Sequence, residues 1–240
     1  MSGNAAGKTL MLCFPFAGGT GRFFDILEPD LPSYMELAKL EYSGHGSRMR
    51  EPLYASFDEL VADLYPQIGD LLSSRNWCRF VFFGYSMGCI SVFAVLQKII
   101  EDGLRYLPAH VFLAAHPPKQ LLKIQDMQGD ALFAWVKERT VAFGAVPNEL
   151  LHNHAFWRLY LPMYAADYKM ISTYDFARIS FSCDVPMTAF YSETDTPLQD
   201  MRQWGKYFRG DVRFVKYEGS HFFIQCHHRD MMRVMETCLS

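Results

Sequence analysis

The stretch Phe80-Val81-Phe82-Phe83-Gly84-Tyr85-Ser86-Met87-Gly88-Cys89-Ile90-Ser91-Val92-Phe93-Ala94 constrains the fold of this chain more than any other. An apolar run of strand length meets Gly-x-Ser-x-Gly and passes without a loop into a helix-period pattern, the context that a nucleophile elbow requires. A serine on so sharp a turn is strained, and a side chain at position 84 or 88 would collide with the neighbouring strand or helix, which accounts for both glycines. Ser86 is therefore the leading nucleophile. It also stands at the positive end of the following helix, where the Met87 N–H can point at a developing oxyanion. The pentapeptide alone is a weak signal, and the flanking strand and helix give it its weight.

Strand and helix patterns alternate on both sides of this turn. Thr9 to Phe14 reads as a buried strand that runs into Pro15-Phe16-Ala17-Gly18-Gly19, whose glycines let backbone N–H groups turn toward a ligand. In a serine hydrolase such a loop supplies the second oxyanion donor, here from Phe16 or Ala17. Glu36 to Tyr42 reads as a second strand, followed by the Ser43-Gly44-His45-Gly46 loop. Ser56-x-x-Glu59 is a capping box opening an amphipathic helix that reaches Leu72, with a kink expected at Pro66. The elbow helix should run from Met87 to Asp102 and end at Gly103. His110 to Ala115 is another strand, ended by His116-Pro117-Pro118. Further strands are expected at Val185 to Ser192 and Val212 to Tyr217, with helices over Asp200 to Phe208 and Asp230 to Cys238.

The alternation stops between 117 and 175. Short helical segments rich in aromatics appear there, punctuated by Gly129, Gly144, Pro147 and Pro162. An insertion of this length in an α/β sheet reads as a lid, since it is too short to bury a core of its own. The expected organisation is one α/β domain over 1–240, a mostly parallel sheet flanked by helices, with a helical lid at 117–175. A chain of 240 residues, half of them hydrophobic, suits one such core. The net charge of −3 provides no basic field for nucleic acid or an anionic membrane, so neither partner is expected. Six scattered cysteines, several inside apolar runs, read as free thiols in a reduced compartment. Met1 to Lys8 has no apolar region of the kind an export signal needs, and no run is long enough to span a bilayer, so a cytoplasmic location is expected.

A serine hydroxyl is almost inert at neutral pH, so Ser86 needs a base within hydrogen-bond reach and the base needs an acid to fix its tautomer. In α/β-hydrolases the chain order is Ser, then Asp or Glu after a late strand, then His after the last strand. Asp195 and His221 stand at those places. Of the eight histidines, His116 is the main rival to His221, because its strand also ends at the active edge of the sheet. Asp184 rivals Asp195 but precedes its strand and belongs to the opposite edge, and Asp200 is expected on the next helix. His152-x-His154 and Cys226-His227-His228 lack a second ligand group at metal-site spacing, so no metal site is expected.

Several segments carry a resemblance beyond the serine turn. Leu12 to Gly19, the Gly44 to Pro52 segment with Arg48 and Glu51-Pro52, Gly84-x-Ser86-Met87-Gly88, Pro147-x-Glu149-Leu150, Leu161-Pro162, Ala166-Asp167 and Gly219-x-His221-Phe222-Phe223 follow one another as in the type II thioesterases of polyketide and nonribosomal peptide assembly lines. The chain resembles that family from about residue 9 onward. The resemblance implies an α/β-hydrolase fold, a mobile helical lid and a Ser86-His221-Asp195 triad. It also implies hydrolysis of aberrant or stalled acyl groups from the phosphopantetheine arm of acyl- or peptidyl-carrier proteins. No cofactor is implied, because the phosphopantetheine belongs to the carrier, and a monomer is expected. Two departures stand out: Tyr85 replaces a histidine frequent in the family, and His116-Pro117-Pro118 replaces a more polar segment. Tyr85 should leave the proton-transfer chain alone and alter the pocket. Arg48, Arg50, Lys119 and Lys123 are candidates for a local basic patch that meets an acidic carrier. A small-molecule esterase or lipase is the alternative on the same fold, and a non-catalytic carrier-binding module would require a broken triad.

Overall fold

The computed structural model describes residues 7–103, 106–120 and 122–240. Six strands form one wholly parallel sheet: β1 (Thr9–Phe14), β2 (Met35–Lys39), β3 (Arg79–Tyr85), β4 (Val111–Ala114), β5 (Met187–Tyr191) and β6 (Val212–Lys216), in the order β2-β1-β3-β4-β5-β6. The inner strands β1, β3, β4 and β5 are buried almost throughout, as unbroken apolar runs covered by helices on both faces must be. The edge strands carry charge, Glu36 and Lys39 on β2 and Arg213 and Lys216 on β6, which discourages further strand pairing.

The helices are α1 (Phe57–Ser73), α2 (Met87–Glu101), α3 (Gly129–Ala142), α4 (His154–Thr173), the single turn α5 (Leu198–Met201) and α6 (Ile224–Leu239). Alternate residues of one strand feed two cores. Leu10, Leu12, Phe80 and Phe82 face α1, α2 and α4, whereas Met11, Cys13, Val81, Phe83 and Tyr85 face the other side, where Phe24 and Leu27 meet Met231, Met232 and Met235 of α6. Each fully buried phenylalanine in these layers, such as Phe82 and Phe83, contributes about 1.5–3 kcal/mol relative to exposure.

Several elements differ from the sequence reading: β2 ends at Lys39 short of the expected Tyr42, and α4 is one helix through Pro162 where short segments were expected. Residues Gly21–Asp30 form a 3-10 run, with Pro29 inside it, that the sequence did not announce. α6 begins at Ile224, six residues before Asp230. The polar run Gln225 to Asp230 hides its first turns, while its buried face at Ile224, Met231, Met232, Met235 and Leu239 keeps helical spacing. After α5 the chain continues as a 3-10 turn over Arg202–Lys206, not as one helix from Asp200 to Phe208. Pro66 lies inside α1, which runs on to Ser73. The Ser56 side chain accepts from the Glu59 N–H, and Glu59 reaches back to the Ala55 N–H instead of that of Ser56.

The order of strands places the functional edge. The chain leaves β1 outward to β2 and returns on the other side of β1 as β3, so the crevice above β1 and β3 is a switch point, the usual ligand position in an open parallel sheet. Phe14 of β1 is level with Gly84 of β3, which brings the Pro15 to Gly19 loop beside Ser86. Between β4 and β5 an insertion carries α3 and α4, which pack on one another, and α4 also lies against α2.

Candidate active site

The elbow forms as its glycines require. Ser86 joins β3 to α2 with φ 53° and ψ −117°, a left-handed conformation costly for a residue with a side chain. A Cβ on Gly84 would stand 2.4 Å from the Gly88 carbonyl oxygen, and one on Gly88 would stand 2.0 Å from the Phe14 carbonyl oxygen. Both positions therefore demand glycine, one against the helix start and the other against β1. The turn is held by the Ser86 N–H donating to the Ala114 carbonyl at 2.7 Å.

Asp195 and His221 arrive from the ends of β5 and β6. The hydroxyl oxygen of Ser86 lies 2.9 Å from His221 Nε2, and His221 Nδ1 lies 2.8 Å from Asp195 Oδ2. The loops that bring them are tied together, because Ser192 and Thr194 beside Asp195 both donate hydroxyl hydrogen bonds to the Gly219 carbonyl, at 2.7 Å for Thr194. Gly219, with φ 115°, lets the chain bend between β6 and His221. All three side chains are shielded, with Ser86 only 9 % and His221 only 7 % exposed. The geometry can pass a proton from the serine to a histidine whose tautomer is held by a carboxylate.

The rivals fall elsewhere. His116 is buried at the end of β4, where burial lowers its pKa to about 4, and its Nδ1 has no partner among the described residues. Its backbone carbonyl accepts from the Trp204 indole at 2.9 Å, and its ring makes no hydrogen bond to Ser86. Asp184 precedes β5 and pairs with Arg209 on the surface, while Asp200 on α5 pairs with Lys119.

The Pro15 to Gly19 loop, expected to supply the second oxyanion donor, begins against the elbow, since a Cβ on Gly88 would stand 3.0 Å from the Pro15 carbonyl oxygen. Met87 opens α2, so its N–H has no acceptor within the helix. Neither the Phe16 nor the Ala17 N–H donates to any group among the described residues. Phe16 packs edge-on against Phe23 and Phe222.

Tyr85 does more than shape a pocket. It is fully buried, and its hydroxyl donates to the backbone carbonyl of His221 at 2.7 Å while its ring stacks on Phe222. It thus holds the histidine's backbone without touching either ring nitrogen. No local pattern signals this contact, which spans 136 residues of chain. Of the aromatics in the insertion, Phe143 lies on the His221 ring at 4.3 Å between centroids, with the Arg139 guanidinium also over the Phe143 ring. Trp135 packs on Tyr168 and Phe156 on Trp157 and Tyr160. The proposed basic patch is half consumed internally. Arg48 clamps Asp63 with two hydrogen bonds and Glu51 with its Nε, and Lys119 pairs with Asp200, leaving Arg50 and Lys123 as exposed candidates.

The thioesterase domain family model matches residues 9–239. The medium-chain S-acyl fatty acid synthase thioesterase of Rattus norvegicus is 24% identical over 221 residues, covering 89% of this chain and 81% of the rat protein. Among solved structures, ClbQ from the colibactin NRPS/PKS pathway superposes with a TM-score of 0.84 at 23% identity, covering 97% of both chains. The type II thioesterase BorB from the borrelidin biosynthetic cluster gives 0.82 at 20% identity, covering 97% of this chain and 93% of its own. The chain shares the fold of these structures, the expected α/β-hydrolase fold.

Proposed function

The chain belongs to the thioesterase domain family, and we propose that it is a type II serine thioesterase that releases acyl groups from phosphopantetheinyl carrier proteins. The observation that carries this reading is the unbroken hydrogen-bond chain from Ser86 through His221 to Asp195 at the end of β3. Ser86 Oγ attacks the thioester carbonyl as His221 Nε2 takes its proton, and Asp195 supports the resulting imidazolium. The N–H of Met87 and that of Phe16 or Ala17 hold the oxyanion. Collapse of the tetrahedral intermediate expels the pantetheine thiol, and water activated by the same histidine frees the acid. The carrier as substrate is supported by the assembly-line origin of ClbQ and BorB, whose fold this chain shares along almost its whole length.

Residues 117–175 act in this reading as a lid, and α3 with Phe143 is its moving part. Phe143 covers the His221 ring and Ser86 is nearly closed off, so an acyl-pantetheine arm reaches the serine only when that contact opens. Amides of 129–145 should exchange with solvent faster than those of β3 and of the buried second half of α4, as read by hydrogen-exchange mass spectrometry. Equal protection in all three segments would remove the gate.

The substrate class is tested by presenting one acyl group on a carrier protein, on coenzyme A and as a nitrophenyl ester. A carrier adds contacts remote from the scissile bond, and that binding energy can seat the arm and open the lid, so kcat/KM should be highest on the carrier. Reversing the charge of Arg50 and Lys123 should weaken that preference, as should added salt. Equal efficiency on all three substrates would point instead to a small-molecule esterase.

A further inference from the structure

Asp167 is a buried carboxylate on α4 with no part in the hydrogen-bond chain at Ser86. Its Oδ2 accepts from the Gly18 backbone N–H at 2.6 Å and lies 2.9 Å from His45 Nε2. The His45 ring is wholly buried, and its Nδ1 lies 3.0 Å from the Ser43 carbonyl oxygen. A carbonyl only accepts, so Nδ1 carries a proton, and Oδ2, which already accepts from Gly18, is matched by a second proton on Nε2. The pair is then imidazolium and carboxylate. Burial alone pulls the His45 pKa down, but the Asp167 charge and hydrogen bond, together with the Ser43 carbonyl, outweigh it and hold the pKa above its ordinary value. Desolvation largely offsets the attraction within a buried ion pair, so net stability is a weak reason for one to stand here. The geometry that it fixes is a better one.

What it fixes is the Pro15 to Gly19 loop. Gly18 has φ 72° and lies so close to α4 that a Cβ there would stand 1.9 Å from the Tyr164 ring. At the other end of the loop the Pro15 carbonyl accepts from the Tyr42 hydroxyl at 3.0 Å, and that hydroxyl is also 2.9 Å from Ser91 Oγ on α2. Phe16 and Ala17 are the two residues between these anchors.

We infer that Asp167 and His45 are positioning residues for the oxyanion loop: by clamping Gly18 to α4 they aim the N–H groups of Phe16 and Ala17 at the reacting carbonyl. The inference rests on the serine thioesterase reading above. It also divides the 117–175 insertion, since α4 is bound to the loop that it would have to uncover and only the α3 side is free to swing.

The clamp can be broken from both of its sides. The double replacement His45→Leu with Asp167→Ala removes both buried charges together, and Gly18→Ala drives the loop off Tyr164 while leaving the pair intact. In each, kcat should fall about 100-fold with KM changed less than about threefold, the signature of misplaced groups that act in the transition state. A trifluoromethyl ketone bearing the same acyl chain, whose hemiketal with Ser86 carries the oxyanion, should bind more weakly by the same factor. The product carboxylic acid should bind as before. Asp167→Asn retains an acceptor for the Gly18 N–H and should keep kcat within about tenfold of the parent. Circular dichroism reports folding, and if the double variant is unfolded Gly18→Ala decides alone. A folded variant with parental kcat, or one that loses kcat while its ketone affinity is unchanged, overturns the clamp. Ser86→Ala measured alongside separates the two levels: an active Ser86→Ala removes the serine reading itself, whereas an inactive one beside an unimpaired Gly18→Ala removes only the clamp.

Discussion

Ser86→Ala should leave a folded protein whose turnover is lower by about 10⁴ to 10⁶, with the residue of activity supplied by the oxyanion donors and by binding. The substitution deletes one oxygen from a turn whose close contacts are made by Gly84 and Gly88, and both glycines remain. Alanine pays the same left-handed conformation at φ 53° that serine does, a strain of about 1–2 kcal/mol present before and after the change. The melting temperature should therefore move little while kcat collapses. A fluorophosphonate probe should label the parent at Ser86 alone and leave the variant unlabelled. Retained turnover in a folded Ser86→Ala protein would mean that some other group attacks the thioester.

How much of this site could be read from the chain depended on how local its signals are. Ser86 was legible because strand, glycines and helix are contiguous and their steric logic is contained in fifteen residues. Asp195 and His221 were legible because a parallel sheet sends successive strand ends to one edge, so chain order becomes spatial order. That same rule dismissed Asp184, which stands at the beginning of β5 on the far edge, bonded to Arg209. Contacts without a period or a spacing rule were not legible. Tyr85 reads as a residue that alters the pocket, and nothing nearby states that its hydroxyl will meet the His221 carbonyl. His45 and Asp167 are 122 residues apart and become partners only because α4 folds back over the loop after β1. Arg48 was misread as a surface charge for the converse reason: Asp63, which absorbs it, lies a full helical turn inside α1, beyond the loop that carries the arginine. The insertion was marked by Pro117-Pro118 at its start and by the glycines and prolines within it, but the sequence did not distinguish the half that is anchored from the half that covers His221.

Asp195→Asn should cost about 10⁴ in kcat at neutral pH, nearly as much as loss of the nucleophile, although only one oxygen becomes an NH2 group. As a carboxylate, Asp195 can only accept, so the His221 nitrogen 2.8 Å away must be Nδ1–H, and Nε2 is left with its lone pair toward the Ser86 hydroxyl. An asparagine can turn its amide hydrogen to Nδ1, which stabilises the opposite tautomer with the proton on Nε2. That nitrogen can then no longer accept from the serine, and the developing imidazolium loses its counter-charge. Position should survive, because the Ser192 and Thr194 hydroxyls still bind the Gly219 carbonyl and the Tyr85 hydroxyl still binds that of His221. A melting curve close to the parent's, together with the loss in kcat, would assign the defect to tautomer and charge instead of displacement. Asp184→Asn is the control. That residue's side chain is 82% exposed and its Arg209 bridge is a surface pair of small net value, so its replacement should leave kcat near that of the parent. Were Asp184→Asn the crippled enzyme and Asp195→Asn the active one, the acid would lie at the opposite edge of the sheet and His221 would have to be oriented by some other group.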